Sequence, residues 1–167
     1  MHTGTRQGPE IWLRGPVTTP EPGPPEPAHA HAAGRRFSWV GTHGGAGVST
    51  LVAVYGGHDS GRSWPGPGDP PSVLLVARTH AAGLDSVAGT VELFRRRQAP
   101  PGLDLDAVVL VADAPGRLPR PLVQRVRSLE SVIDVYRVPW VPSWRLGETG
   151  HPPRETADLA RLTGAAR

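Results

Sequence analysis

The chain has 167 residues, enough for one domain with a hydrophobic core but too few for two domains of ordinary size. It has no cysteine, which excludes disulfides and thiolate metal sites, and no stretch near the roughly 18 apolar residues of a membrane span. All 18 cationic residues are arginine, a usage typical of a GC-rich genome, and the net charge of +3 attracts nucleic acid little. These features predict a soluble cytoplasmic protein that does not insert into membranes, with nucleic acid as an unfavourable partner.

Residues 1–35 differ in composition from the rest of the chain. Six prolines lie between positions 16 and 27, and the segment shows no periodic apolar pattern. Proline lacks an amide hydrogen and fixes φ, so prolines at this density prevent both helices and strand ladders. The composition predicts a disordered, proline-rich tail that ends near residue 35.

From residue 36 onward, short apolar runs alternate with helical patterns. Strands are predicted over residues 37–40, 72–77, 107–112 and 135–138, and helices over residues 49–55, 84–94, 122–133 and 153–162. The runs at 72–77 and 107–112 are almost entirely apolar, which is typical of strands buried on both faces. Because strands alternate with helices, the sequence predicts a three-layer α/β/α fold with a mostly parallel sheet.

The predicted domain covers residues 36–148 and contains one irregular segment. Residues 56–72 are rich in glycine and proline and show no periodicity, which predicts a flexible loop without a strand. Residues 149–167 are predicted to form a C-terminal helix and tail outside the domain, with the helix ending at Gly164.

A glycine-rich turn joins the first predicted strand to the first helix. Glycines allow successive N–H groups to face one anion, and the positive end of the following helix adds to the attraction. The Ser49 hydroxyl is a candidate ligand for Mg²⁺, and Arg78, directly after the strand at 72–77, is a candidate cation at the same sheet edge. The alternative is a tight turn with no ligand. The candidate phosphate- or nucleotide-binding residues in the turn are His43, Gly44, Gly45, Ala46, Gly47, Val48, Ser49 and Thr50.

Residues 39–51, Trp-Val-Gly-Thr-His-Gly-Gly-Ala-Gly-Val-Ser-Thr-Leu, resemble the deviant Walker A segment of ParA/MinD-type P-loop ATPases, whose pattern is Lys-Gly-Gly-x-Gly-Lys-Thr-Thr. Three glycines and two hydroxyls match, whereas His43 replaces the signature lysine and Val48 replaces the phosphate-binding lysine. The resemblance extends over about residues 37–148, with a deletion. It implies a reduced P-loop NTPase-like fold, a site for ATP or ADP with Mg²⁺, and a homodimer.

The resemblance leaves the position of the Mg²⁺-binding aspartate open. Asp59 and Asp69 lie in the irregular segment, but neither follows an apolar strand. In one alignment, Asp113 is a late-strand residue near the adenine. In the other alignment, Asp113 belongs to the Walker B segment itself.

The missing lysine favours binding over hydrolysis. Valine at position 48 cannot neutralise phosphate charge, and the loss of one preorganised donor costs on the order of 10²–10³ in rate. The favoured function is therefore a degenerate ParA/MinD-like binding or adaptor module with weak or no nucleotide binding. One alternative is a slow or partner-activated ATPase in which an arginine replaces the lysine.

Two further features are candidate sites for a protein partner. Trp140 and Trp144 flank a proline, and exposed tryptophans often anchor partners; we expect Trp140 to be buried and Trp144 to be more exposed. Arg117 and Arg120 begin an arginine patch that extends to Arg127. A nucleic-acid-associated protein using this patch is a second alternative function, and a solvated helix face is the simpler interpretation.

Deletion of residues 1–35 is expected to leave the domain folded, because a segment without periodic apolar residues offers the core little surface to bury. Thermal denaturation of the truncated and full-length chains checks this prediction. A large fall in melting temperature after truncation would instead show that Trp12 or its neighbours pack against the domain.

Overall fold

The computed structural model describes residues 36–166, and the predicted tail at 1–35 lies outside this range. Within it, strands and helices alternate along the chain. The strands are β1 (Ser38–Gly41), β2 (His58–Asp59), β3 (Ser72–Arg78), β4 (Asp104–Val111) and β5 (Val135–Val138). The α-helices are α1 (Val48–Tyr55), α2 (Ala81–Arg95), α3 (Arg120–Glu130) and α4 (Ala157–Thr163), and two 3₁₀ helices span Pro142–Leu146 and Arg154–Thr156.

The five strands form one sheet in the order β2-β1-β3-β4-β5, and every neighbouring pair is parallel. A parallel sheet needs cover on both faces, so its central strands must be apolar throughout. The structure shows this at residues 73–77 of β3 and 107–111 of β4, which are all buried. The predicted three-layer α/β/α fold with a parallel sheet is confirmed.

Two helices cover each face of the sheet. Helices α1 and α4 bury Leu51 and Leu159 against one face, where Trp39 of β1 is fully buried. Helices α2 and α3 bury Leu84 and Val126 against the other face. The apolar stripes of α2 and α3 recur at helical spacing, and burial of those stripes holds the outer layers to the sheet.

Helix α2 has defined interactions at both ends. At its start, the imidazole Nδ1 of His80 accepts a hydrogen bond of 2.9 Å from the Gly83 amide. At its end, Arg95 and Arg96 form ion pairs with Glu92 at 3.1 and 2.8 Å. Arginines in this position also complement the negative end of the helix dipole. Both features stabilise the ends of α2 itself, and the burial of its apolar stripe holds it to the sheet.

The C-terminal helix packs into the core, so the prediction that residues 149–167 lie outside the domain is corrected. Leu159 and Ala160 are buried in the same apolar cluster as α1. The Tyr55 hydroxyl donates a buried hydrogen bond of 2.6 Å to Thr156 Oγ1, and burial raises the pKa of Tyr55 although this bond opposes the shift. The helix itself ends at Gly164, as predicted.

Residues 56–72 contain a strand, which corrects the prediction of a loop without one. Strand β2 pairs in parallel with β1, so that His58 and Asp59 lie beside the amino-terminal half of β1. Gly57 precedes it with a φ of +89°, and a Cβ at this position would lie 2.4 Å from the Phe37 ring. The strand is only two residues long and contains no apolar run, so no periodic signal could reveal it.

We expect Leu159→Ala to lower the free energy of unfolding by about 2–5 kcal/mol, because it leaves a cavity between α4 and the sheet. Leu146→Ala is the matched control: Leu146 is 77% exposed, so its truncation should change stability by less than about 0.5 kcal/mol. Urea denaturation of both variants measures the difference. Equal midpoints would contradict the packing of α4 on the core.

Candidate functional site

The order in which the chain adds strands to the sheet changes direction between β1 and β3, which is a topological switch point. Strand β2 lies on one side of β1, whereas β3, β4 and β5 follow one another on its other side. Helices α1 and α2 consequently cover opposite faces. In open parallel sheets such a reversal leaves a crevice at the carboxyl ends of the strands, where ligands bind. The glycine loop (residues 42–47) leaves β1 at this crevice, and Arg78 ends β3 there.

The backbone of the glycine loop depends on two glycines. Gly45 and Gly47 have φ values of +74° and +106°, in the left-handed region that glycine adopts without strain. The Gly47 carbonyl accepts the first hydrogen bond of α1 from the Leu51 amide at 3.0 Å. No side chain caps the start of α1 in the described part of the chain. The first-turn amides of α1 therefore remain available to an anion or to solvent.

Two side chains of the predicted binding segment point into the core. Ala46 and Val48 are only 3% and 9% exposed, and both belong to the apolar cluster under α1. A Cβ built on Gly41 would lie 3.1 Å from Val48 Cγ2, so Val48 packs closely against the last residue of β1. Val48 therefore brings no charge to the crevice and contributes to stability instead.

His43 fastens the glycine loop to β3. Its Nε2 accepts a hydrogen bond of 2.9 Å from the backbone N–H of Arg78, and its Nδ1 lies 2.9 Å from the Gly44 carbonyl oxygen. Because an amide can only donate, Nε2 carries no proton, and Nδ1–H donates to the carbonyl. In this arrangement His43 is a neutral imidazole turned into the fold, and it does not present a positive charge at the surface.

The Arg78 guanidinium joins the glycine loop to the end of β4. Its Nε donates to the Gly45 carbonyl at 3.1 Å, and its Nη1 donates to the Ala112 carbonyl at 3.0 Å. These bonds use two of the five N–H groups of a guanidinium. The Nη2 group lies 3.6 Å from the place of a Cβ on Gly47, and these two hydrogen bonds of the Arg78 side chain to residues 36–166 come from Nε and Nη1 and not from Nη2.

The surroundings of Arg78 at the sheet edge shift its pKa but leave it charged. Burial lowers the pKa of Arg78, the carboxylate of Asp113 opposes that shift, and the guanidinium of Arg145 adds to it. A guanidinium remains protonated under such shifts because its ordinary pKa is far above neutrality. Arg78 is therefore a permanent, partly desolvated cation beside the glycine loop.

Ser49 and Asp59 meet across the crevice. The Ser49 hydroxyl donates to Asp59 Oδ2 at 3.1 Å, and Asp59 Oδ1 accepts from the Gly61 amide at 2.8 Å. Strand β2 causes this contact, because it places the Asp59 backbone next to β1 and hence near the start of α1. A hydroxyl and a carboxylate side by side are oxygen ligands of the kind that Mg²⁺ prefers.

A cavity of about 360 Å³, here called the loop cavity, collects most of the predicted binding residues. Gly44 is exposed outside its lining, and Asp113 does not reach it. Asp59 and Arg62 line it too. In the sequence, Asp59 is set aside because no apolar strand precedes it, and Arg62 is not identified because it lies in a segment without periodicity. The predicted residues that line it are His43, Gly45, Ala46, Gly47, Val48, Ser49, Thr50 and Arg78.

A depression of only about 70 Å³ adjoins the loop cavity and shares Gly47, Thr50 and Arg78 with it. Its far side is closed by Trp140, Trp144 and Arg145. Small-molecule sites usually occupy about 300–1,000 Å³, so this depression cannot enclose a nucleobase or a group of similar size.

The two predicted tryptophan anchors are both partly buried, in contrast to the expected division between a buried Trp140 and an exposed Trp144. Trp144 packs against the apolar cluster under α1. Trp140 instead stacks with Arg145, whose Cζ lies 4.9 Å from the ring centroid. The 3₁₀ helix at Pro142–Leu146 turns Trp144 inward, which the sequence pattern alone did not predict.

The remaining predicted residues lie away from the loop cavity. Asp113 and Arg117 line a separate cavity of about 580 Å³ at the ends of β4 and β5. Arg120 is the exposed first residue of α3. Arg125 forms an ion pair of 2.7 Å with Asp85, so the predicted patch is not a continuous set of unpaired cations.

The family of unknown function DUF6668 matches residues 36–163, which is most of the chain. The chain belongs to this family. No curated protein and no solved structure matches it. The part of this DUF6668 chain that matches contains the glycine loop and all of α4, in agreement with a domain that extends to the C-terminal helix.

The described part of the DUF6668 domain has neither a membrane-spanning helix nor a cluster of metal-ligating side chains. Between residues 36 and 166, no helix is both long and apolar enough to cross a membrane. Over the same residues, no cluster of three or more histidine, cysteine, aspartate or glutamate side chains could hold a metal ion. A cation beside Ser49 and Asp59 would therefore need further oxygen ligands from a bound molecule or from water.

Trp144→Ala is expected to lower the free energy of unfolding by about 3 kcal/mol, the lower end of the range for truncating a core aromatic, because Trp144 is only partly buried. Trp140→Ala should cost about 1 kcal/mol, as it removes a cation–π contact near the surface. Denaturant melts of the two variants measure both values. The reverse order would contradict the inward packing of Trp144.

Proposed function

We propose that this DUF6668 protein is a degenerate ParA/MinD-like P-loop protein that acts as a phosphate-sensing binding or adaptor module and does not turn over nucleotide rapidly. The observation that carries the proposal is the composition of the loop cavity. It combines a glycine loop, two arginines and a serine–aspartate pair, but the residue at the lysine position is buried in the core.

Anion binding is supported by three independent sources of positive potential. The first-turn amides of α1 lack a side-chain cap, and the helix dipole reinforces them. The Arg78 Nη2 group lies beside Gly47, and Arg62 lines the same cavity. Guanidinium groups match phosphate oxygens in two-point geometry, so arginine is a suitable replacement for a lysine in binding.

Rapid hydrolysis is disfavoured by the same geometry. Arg78 already spends two N–H groups on the Gly45 and Ala112 carbonyls, so it is fixed at the side of the crevice. Val48 supplies no charge to transferring phosphate. Phosphoryl transfer relies almost entirely on positioned charge, so a protein that lacks one such charge binds better than it catalyses.

The residues present fit a Mg²⁺ ion in one respect. Ser49 and Asp59 would hold it, as a hydroxyl and one carboxylate, and phosphate oxygens would complete its shell. A bound Mg²⁺ would supply neutralising charge to the phosphates. The Asp59 carboxylate is oriented for this by the Gly61 amide.

Nucleotide binding should be weak because the space that directly adjoins the loop cavity is too small for a base. The depression next to the loop cavity measures only about 70 Å³ and is closed by tryptophan side chains. Affinity would then come from the phosphates alone. In an adaptor, binding or release of the ligand would alter a surface that a protein partner contacts. The Trp140–Arg145 pair is the candidate surface, because it lines the depression next to the loop cavity.

A second candidate function is a slow or partner-activated ATPase. The Ser49–Asp59 contact is compatible with it as well, because a Mg²⁺ ion held there would also stabilise the charge that develops in phosphoryl transfer. In this version Arg62, which is exposed, would supply the missing cation, and a partner or a second copy of the chain would complete the site. Measured turnover separates the two candidates.

Calorimetric titration of the full-length protein with ATP, ADP, GTP and inorganic pyrophosphate, each with and without Mg²⁺, tests the proposal. We expect similar, weak affinities for the four ligands, because only phosphates are recognised. Arg62→Gln should weaken binding about tenfold, as expected for the loss of one charge-assisted hydrogen bond. Arg154→Gln removes the same charge outside the loop cavity and should leave binding unchanged.

The outcomes that contradict the proposal are distinct. Absence of heat with all four ligands would show that the glycine loop is only a turn. Strong preference for one base would contradict recognition through phosphates alone. Hydrolysis within the common enzyme range of about 1–10³ s⁻¹ would overturn the adaptor function in favour of an ATPase.

A further inference from the structure

A second cavity, separate from the loop cavity, lies beyond the carboxyl ends of β4 and β5 and against the first turns of α3. Its volume of about 580 Å³ is within the range of small-molecule sites, about 300–1,000 Å³. Arg78 and the glycine loop do not line it. An occupant of this cavity would therefore not depend on the proposed phosphate site.

The walls of this cavity are mostly apolar and are built from rigid parts of the fold. Two of the wall residues come from strands, two from α3 and two from the loop between β4 and α3. Proline and strand backbone restrict movement, so the cavity is formed before a ligand arrives. These residues are Leu110, Val138, Leu122, Val126, Pro115 and Pro119.

The charged residues at the cavity differ in how they are paired. Arg137 forms an ion pair of 2.7 Å with Glu130. The Asp113 carboxylate attracts the Arg78 guanidinium electrostatically and so opposes the lowering of the Arg78 pKa by burial. Arg117 is exposed and has no acidic partner within residues 36–166. Among the residues that the structure describes, it is therefore a guanidinium without an ion-pair partner at the edge of an apolar cavity.

The start of α3 strengthens the positive potential around Arg117. Its N-cap is Pro119, which has no side-chain acceptor, and its first turn contains no acidic residue. Arg120 follows and is exposed as well. The helix dipole and two arginines therefore act in the same direction on a negative group placed there.

We propose that this cavity binds a small amphipathic anion, namely an aliphatic or aromatic carboxylate or sulfonate. The apolar body lies against the walls at Leu122 and Val126, and the anionic group forms a two-point contact with Arg117. Two carboxylates, Asp113 and Glu155, also line the cavity and oppose the binding of an anion. That opposition limits affinity and disfavours ligands with several negative charges.

The fluorescent probe 8-anilinonaphthalene-1-sulfonate, titrated into the full-length protein, tests the proposal directly. We expect saturable binding, displaced by decanoate at least tenfold more effectively than by 1-decanol, which has the same apolar chain without the charge. Near-UV circular dichroism must stay unchanged during the titration, because this dye also binds partly unfolded chains. Equal displacement by the acid and the alcohol would overturn the role of the anionic group.

Three variants locate the site. Arg117→Gln should weaken probe binding about tenfold, whereas Arg127→Gln, an equal change on the exposed face of α3 outside the cavity, should not alter it. Glu155→Gln should strengthen binding by about threefold, because it removes an opposing charge. All three are exposed, so their substitution should leave the fold intact.

A fourth variant tests the cavity itself. Ala114 is exposed and lines the cavity, so Ala114→Trp should block it and reduce probe binding at least tenfold without a change in the core. Unchanged binding in either Arg117→Gln or Ala114→Trp would overturn the proposal. Neither result bears on pyrophosphate binding at the loop cavity, so the two sites are tested separately.

Discussion

The interaction on which the site depends is the bridge made by Arg78. Its guanidinium joins the carbonyls of Gly45 and Ala112, and its backbone N–H donates to the His43 ring. One residue thus connects the loop after β1, the end of β3 and the loop after β4. A parallel sheet brings these three ends to one edge, but their orphaned carbonyls need donors, and a guanidinium can supply several at once.

The bridge is one of three interactions that hold the glycine loop in place. Arg78 fixes the glycine loop from outside, His43 fixes it from β3, and Val48 anchors it in the core. The positions that resemble lysine positions in ParA/MinD-type ATPases thus carry structural side chains. The positive side chains at the loop cavity are Arg62 and Arg78, and under the proposed function they would bind phosphate.

The edge of the sheet carries two cavities of different chemistry. The loop cavity, at β1 and β2, is lined by backbone amides, Ser49, Asp59 and arginines. The cavity at β4 and β5 is lined mainly by apolar side chains, with Arg117 at its border. The tryptophan-lined depression lies behind Arg78, next to the loop cavity. Under the two proposals, a phosphate and an amphipathic anion therefore bind at separate positions along one edge of the sheet.

The sequence by itself determined the layers, the parallel sheet, the approximate positions of the helices and the glycine loop, because apolar runs and glycines act locally. Only the tertiary structure decided that β2 exists, because His58 and Asp59 form a strand by pairing with β1 and show no alternating or apolar pattern in the sequence. That pairing brings Asp59 to Ser49 across ten residues. Tertiary packing likewise turned Trp144 inward and drew α4 into the core, because burial depends on which surfaces meet and not on local spacing.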